Sequence, residues 1–196
     1  MTVYPIALSV VLPALYWALV IVVVGLGVAA SAVTITTPKR WLVIAAGTSV
    51  VVGLLLVVLP HGHPFPAVSA VLGLAVLALS VLGGGPAVLF VLAVASRDTV
   101  REGLHGGIVI ERADASDSGE VLRGGTVIGI FERIATTGSI MAGFPEAIAV
   151  VVAIKSVGRF TELDVAEARE RFIIGTLVSL VWAAACGGLF RFAIGL

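Results

Sequence analysis

Apolar positions run through the first 96 residues almost without interruption. Lys39 and Arg40 are the only charged side chains there, and every other acidic and basic residue lies in the last 100. A helix needs about 20 apolar residues to cross about 30 Å of hydrocarbon. On that measure a first span is predicted from about Pro5 to Val33 and a second from Trp41 to Leu59, with the polar segment TITTPKR between them. The proline-rich stretch PHGHPFP then forces a turn, because proline lacks a backbone donor and cannot continue a helix. A third apolar run, Ala67 to Ser96, is interrupted by Gly83-Gly84-Gly85-Pro86. The stretch 87–96 beyond it would rise only about 15 Å as a helix, so one span broken at that point is predicted rather than two crossings.

The pattern changes after Ser96. Residues 97–123 are polar and hold ten charged side chains, which makes them an extramembrane insert. A fourth span is predicted from about Gly125 to Phe144, a tight turn at Gly143-Phe144-Pro145-Glu146, and a short fifth span from Pro145 to Phe160. The connector TELDVAEARER follows, with Thr161 and Asp164 spaced like a capping box, a helix-start signal. A last span runs from Phe172 to about Phe190. The chain thus divides into a hydrophobic half (1–96), a polar insert (97–123) and a second half (124–196). The expected fold class is all-α: a polytopic transmembrane helix bundle of about six spans, the third broken at the GGGP sequence.

Composition agrees. Apolar residues make up 59% of the chain, above the share usual in globular domains. Formal net charge is zero, so the chain lacks the basic footprint of a nucleic-acid partner. The single cysteine, Cys186, has no partner for an intrachain disulfide and reads as a small buried apolar residue. The N-terminal run has no basic region before it and is longer than a signal peptide's apolar core, so it is read as a retained first span. His61 and His63 alone make an incomplete metal site. No metal and no cofactor is expected. Nor do GxSxG, HExxH, GxxxxGK[ST] or GxGxxG occur, which argues against the familiar hydrolase and nucleotide-binding chemistries.

Basic residues near span ends set orientation. Lys39 and Arg40 mark one loop, Arg97, Arg101, Arg112 and Arg123 the next but one, and Arg159, Arg169 and Arg171 the next but one again. Six crossings put all three on one side. The expected location is therefore the bacterial cytoplasmic (inner) membrane, multi-pass, with the insert in the cytoplasm and both termini outside.

Glu132 and Arg133 lie within the fourth span, and ionisable groups at membrane depth are functional candidates by default. Arg133 is near enough to the span end to snorkel, and Glu132 could serve packing alone. Glu132 lies 13 residues before Pro145, about 20 Å along a helix, while Lys155 lies about 15 Å and Arg159 about 21 Å beyond it. Glu132 is thus level with both bases on the neighbouring helix. Glu132, Ala135, Ser139 and Gly143 share one face, and small residues mark a face that packs rather than one that meets lipid. Gly175, Ser179, Ala183 and Gly187 form a second small-residue stripe, with Thr176 beside it. The candidate binding residues are Glu132, Arg133, Lys155 and Arg159.

The stretch from Gly125 to Gly188 resembles a family of small bacterial polytopic membrane proteins with a G-x-x-I-G-x-L-E-R, A-K-S-x-x-R-F and E-x-F-I-I-G-T-x-x-S pattern. It is carried here by Gly125, Ile128, Gly129, Glu132 and Arg133, then Ala153, Lys155, Ser156, Arg159 and Phe160, then Glu170, Phe172, Gly175, Thr176 and Ser179. Phe131 stands where the pattern has Leu. The resemblance implies the same membrane fold and marks the same charged residues, but it implies no particular chemistry.

Three functions fit. A binding or translocation protein would handle a small anionic solute, a lipid headgroup or a proton at the charged site. A structural or regulatory subunit would use the charges to fix helix packing and would partner a second copy or another membrane protein. A membrane-embedded lipid-modifying enzyme would use Glu132 as a base, although the pocket and displaced pKa that a base requires are not visible in the sequence. The lipid bilayer is the partner common to all three.

Overall fold

In the computed structural model, residues 6–59, 62–95, 101–102, 108–109, 125–158 and 166–195 are described. Six helices follow in order: α1 (Ile6–Thr36), α2 (Arg40–Val58), α3 (Pro66–Ala95), α4 (Gly125–Ala142), α5 (Ala147–Gly158) and α6 (Ala166–Ala193). Within the insert, Arg101–Glu102 (β1) and Ile108–Val109 (β2) pair antiparallel. Four helices are long and apolar enough to cross a bilayer: α1, α2, α3 and α6. Large apolar side chains such as Leu26, Leu55, Leu74 and Val181 stand exposed all around them. A soluble monomer rarely shows so much contiguous apolar surface; for a bundle in hydrocarbon it is the expected exterior. This is an integral membrane helix bundle.

α3 and α6 form the centre and pack most extensively on each other, with α1, α2 and α4 around them. α5 touches α4 alone among the helices by backbone proximity. Its twelve residues rise only about 18 Å, short of a full crossing.

The apolar core lies toward one end. Trp17, Val20 and Val24 of α1, Val50 and Val57 of α2, Leu72, Val76 and Leu79 of α3, and Cys186 and Leu189 of α6 form one buried cluster. Its outer rim is tied by the Trp17 indole, which donates to the Gly62 carbonyl at 3.2 Å, and by the Tyr16 hydroxyl, which donates to the Leu56 carbonyl. Above the cluster sits a polar layer. The Ser80 and Thr137 hydroxyls are 2.6 Å apart, Thr137 Oγ1 donates to the Ala183 carbonyl at 3.0 Å, and the Trp182 indole donates to the Leu79 carbonyl at 3.2 Å.

The expected break in α3 does not occur. The helix is continuous from Pro66 to Ala95 with Pro86 inside it, and none of Gly83, Gly84 or Gly85 has positive φ. The glycines serve close approach instead. A Cβ on Gly83 would lie 2.4 Å from Trp182 Cζ2, and one on Gly84 would lie 2.3 Å from Arg133 Cδ. Without water to compete for backbone groups, a helix in a membrane bundle tolerates Gly and Pro that would end one in solution.

The stripe on α6 packs as expected, with Ser179 and Ala183 buried and Gly187 set against Ile140 and the Thr137 carbonyl. The face expected on α4 needs correction, because Ala135 is exposed. The buried face is Gly129, Arg133, Thr136 and Thr137, with Glu132 at its edge. Thr137 and Arg133, which hydrogen-bond to Ala183 and Ser179 of α6, outweigh the small-residue pattern.

Two of the three consecutive glycines of α3 should respond differently to substitution. Gly83→Ala meets a rigid indole and should destabilise the protein by about 1–3 kcal/mol. Gly85 has open space at its Cβ position, so Gly85→Ala should be close to neutral. Unfolding of the purified variants in detergent, followed by circular dichroism, reads the difference; equal effects would contradict a packing role for Gly83.

Candidate functional site

α4 and α5 are joined by a hairpin of defined chemistry. Gly143 adopts φ +83°, its N–H donates to the Ile140 carbonyl at 3.0 Å, and the Phe144 N–H donates to the Ser139 carbonyl at 2.8 Å. That is a Schellman cap, in which a left-handed glycine closes the helix. Pro145 cannot extend α4, and its carbonyl accepts from the Ile148 N–H as α5 begins. The reversal lays α5 antiparallel to α4 and brings Lys155 level with Glu132.

Lys155 Nζ lies 2.6 Å from Glu132 Oε2, an ion pair whose side chains are 17% and 10% exposed. The same ammonium sits 5.5 Å from the centre of the Phe172 ring on α6, within cation–π range. Lys155 therefore ties the peripheral α5 to both α4 and α6. Glu132 Oε1 is buried with no protein partner.

Arg133 points the other way, into the bundle. It is 6% exposed and does not snorkel. Its Cδ–Nε stem lies against Gly84 and its guanidinium against Gly129, and Nη1 donates to Ser179 Oγ at 3.4 Å. Its Nε has no hydrogen-bond partner. The Thr176 hydroxyl, one turn away on α6, is buried and unpartnered too. Arg159, the fourth expected site residue, lies outside the described residues.

These groups line a cavity of about 690 Å³. It is bounded by the end of α1, the start of α2, the second half of α3, the first half of α4, Lys155 of α5 and the first half of α6. Five cationic side chains line it (Lys39, Arg40, Arg133, Lys155 and Arg171), and Glu132 is the sole carboxylate among its described lining residues. The rest of the wall is mostly aliphatic, including Val81, Leu82, Leu89 and Leu92.

Sequence reasoning had used Lys39, Arg40 and Arg171 only to assign sides, and had noted Thr176 only as a neighbour of a packing stripe. The signal that could have found them was present. Alternating helix directions bring residues 38–40, 85–93, 125–133, 155 and 171–179 to one end of the bundle.

Family models, curated proteins and solved structures give no match to this chain.

Replacing Lys155 by Met leaves Glu132 buried without its base, which should cost about 1–3 kcal/mol of stability. Adding Glu132→Gln should recover much of that loss, since a neutral amide needs no counter-charge. A double-mutant cycle on thermal unfolding measures the coupling. Strictly additive losses would mean that the pair does not interact.

Proposed function

We propose that this protein binds a small anion or anionic headgroup at an intramembrane charged site, as a binding or translocation protein of the bacterial cytoplasmic membrane. The observation that carries this reading is Arg133. A buried guanidinium with an unpartnered nitrogen lines a cavity whose described lining residues carry more cations than carboxylates. Desolvating a charge without compensation is costly, and an anion entering the cavity supplies the compensation. Residues of this type at membrane depth characteristically mark solute, ion or proton pathways.

The Glu132–Lys155 pair supports a second role, as a structural clamp that fixes α5. That is the subunit reading, and it is compatible with the first, because the clamp forms one wall of the cavity. Use of Glu132 as a catalytic base is disfavoured, because Lys155 already engages its Oε2. The resemblance to small bacterial polytopic proteins would extend the same reading to that family.

The basic loop ends gathered at the cavity favour that end as the cytoplasmic one, which puts both chain ends outside. Cys186 is buried, so introduced thiols can be labelled against a low background. Thr37→Cys should react with an impermeant maleimide only after cells are opened, and His63→Cys should react in intact cells; the reverse pattern would invert the topology.

Anion binding is tested on the purified protein in phosphatidylcholine nanodiscs, with inorganic phosphate, acetate and phosphatidic acid as probes and choline as the cationic control. A ligand at 100 times its Kd stabilises the folded state by about 2.7 kcal/mol, readily seen as a rise in Tm. At least one anion should give that rise, and Arg133→Lys should diminish it. If no anion stabilises the wild-type protein, the binding reading falls and the clamp alone remains.

A further inference from the structure

We propose that the ligand is a phosphate-headed amphiphile, its phosphate held at Arg133 and its hydrocarbon laid along α3. This rests on the anion-binding reading and names the class of anion.

Three features of the cavity select that class. The first is the wall. Between the cationic residues the lining is aliphatic, with Val88, Leu89 and Leu92 forming the α3 side. A hydrated inorganic anion gains nothing from such a wall and loses water hydrogen bonds against it. Sites with a mostly apolar lining and a few placed polar groups suit ligands that are themselves mostly apolar.

The second is how charge is distributed with depth. Lys39 and Arg40 stand at the start of α2 and Arg171 near the start of α6. Arg133 lies eight residues into α4, about 12 Å along the helix from its first residue. An anionic head at the membrane surface thus meets positive charge first at the rim and then at the floor.

The third is the floor itself. Arg133 and Thr176 both line the cavity, and each has a buried polar atom, Nε and the hydroxyl, with no protein partner. A guanidinium fork matches the oxygens of a phosphate, and a threonine hydroxyl can donate to a third oxygen. Lys155, 2.6 Å from Glu132 Oε2, completes the cationic side.

Two substitutions separate this proposal from a structural role. Thr176→Val removes a hydroxyl that has no protein partner, so it should leave stability in neutral lipid unchanged or raised. Gly85 lines the cavity and its Cβ would meet nothing within 4 Å, so Gly85→Phe has an open position from which to project its ring into the cavity.

The experiment compares the full-length protein in pure phosphatidylcholine nanodiscs, in the same nanodiscs doped with phosphatidic acid, and in pure phosphatidylcholine with added inorganic phosphate or glycerol 3-phosphate. Phosphatidic acid should raise Tm in proportion to its fraction, and the two soluble phosphates should not at comparable nominal concentration. Thr176→Val should weaken the phosphatidic acid response about tenfold, the scale of one hydrogen bond to a charged group, and Gly85→Phe should abolish it.

A response of equal size to soluble phosphate overturns the amphiphile assignment and leaves the anion site standing. No response to any anion overturns both. A phosphatidic acid response that survives Gly85→Phe overturns the assignment as well, since it would then come from surface attraction of anionic lipid to basic loops.

Discussion

A guanidinium placed inside a helix bundle has to be given room and hydrogen-bond partners, and much of this structure follows from placing Arg133. The room comes from glycine. Gly84 on α3 makes room for the arginine stem and Gly129 on α4 for its guanidinium. The partner is Ser179 on α6. Three helices are thereby held in register around one side chain, and these are helices that pack mutually at the centre of the fold. The neighbouring residue faces the opposite way, so Glu132 meets Lys155 on α5 while Arg133 enters the core. Two adjacent charges on one helix thus do two jobs: one anchors the periphery and the other charges the interior.

Depth was the most legible property in the sequence. Counting residues from the turn at Pro145 put Glu132 level with Lys155, and the two meet at 2.6 Å. Counting works because a short hairpin leaves little freedom in the relative height of two helices. The small-residue stripe on α6 was legible for a similar reason, since four-residue spacing maps directly onto a helix face. Direction around the axis was less legible on α4, where Ala135 is exposed and Thr136 and Thr137 are buried. Both kinds of residue pack well between helices; Thr137 bonds Ser80 and the Ala183 carbonyl, and Thr136 is buried beside it without a hydroxyl partner.

The glycine run in α3 was misread for an instructive reason. Propensity scales describe a chain whose alternative to helix is a solvated coil. Inside hydrocarbon that alternative is absent, so Gly83 and Gly84 cost little backbone stability and gain contact with Trp182 and Arg133. The cavity was illegible for a different reason. It is assembled from the ends of several helices, and its members, Arg171 and Thr176 among them, become a group only once the helices are packed.

The bundle is polar along its axis. At one end Trp17, Leu72, Val76 and Leu189 close a dry core; at the other the same helices spread around a charged cavity. Between them the lining of the cavity stops at Val81 on α3, Arg133 on α4 and Ser179 on α6. Below that lies the layer made by Ser80, Thr137 and Ala183, all fully buried. The cavity and the apolar cluster are separated along the axis by this layer. Passage to the other end would require the Ser80–Thr137–Ala183 bonds to open and the apolar cluster beneath them to part. The conformation seen here is therefore closed by apolar packing at one end, with its charged cavity at the other. α3 and α6 make their close approach there through Gly83 against Trp182, beside the polar layer that separates the two ends.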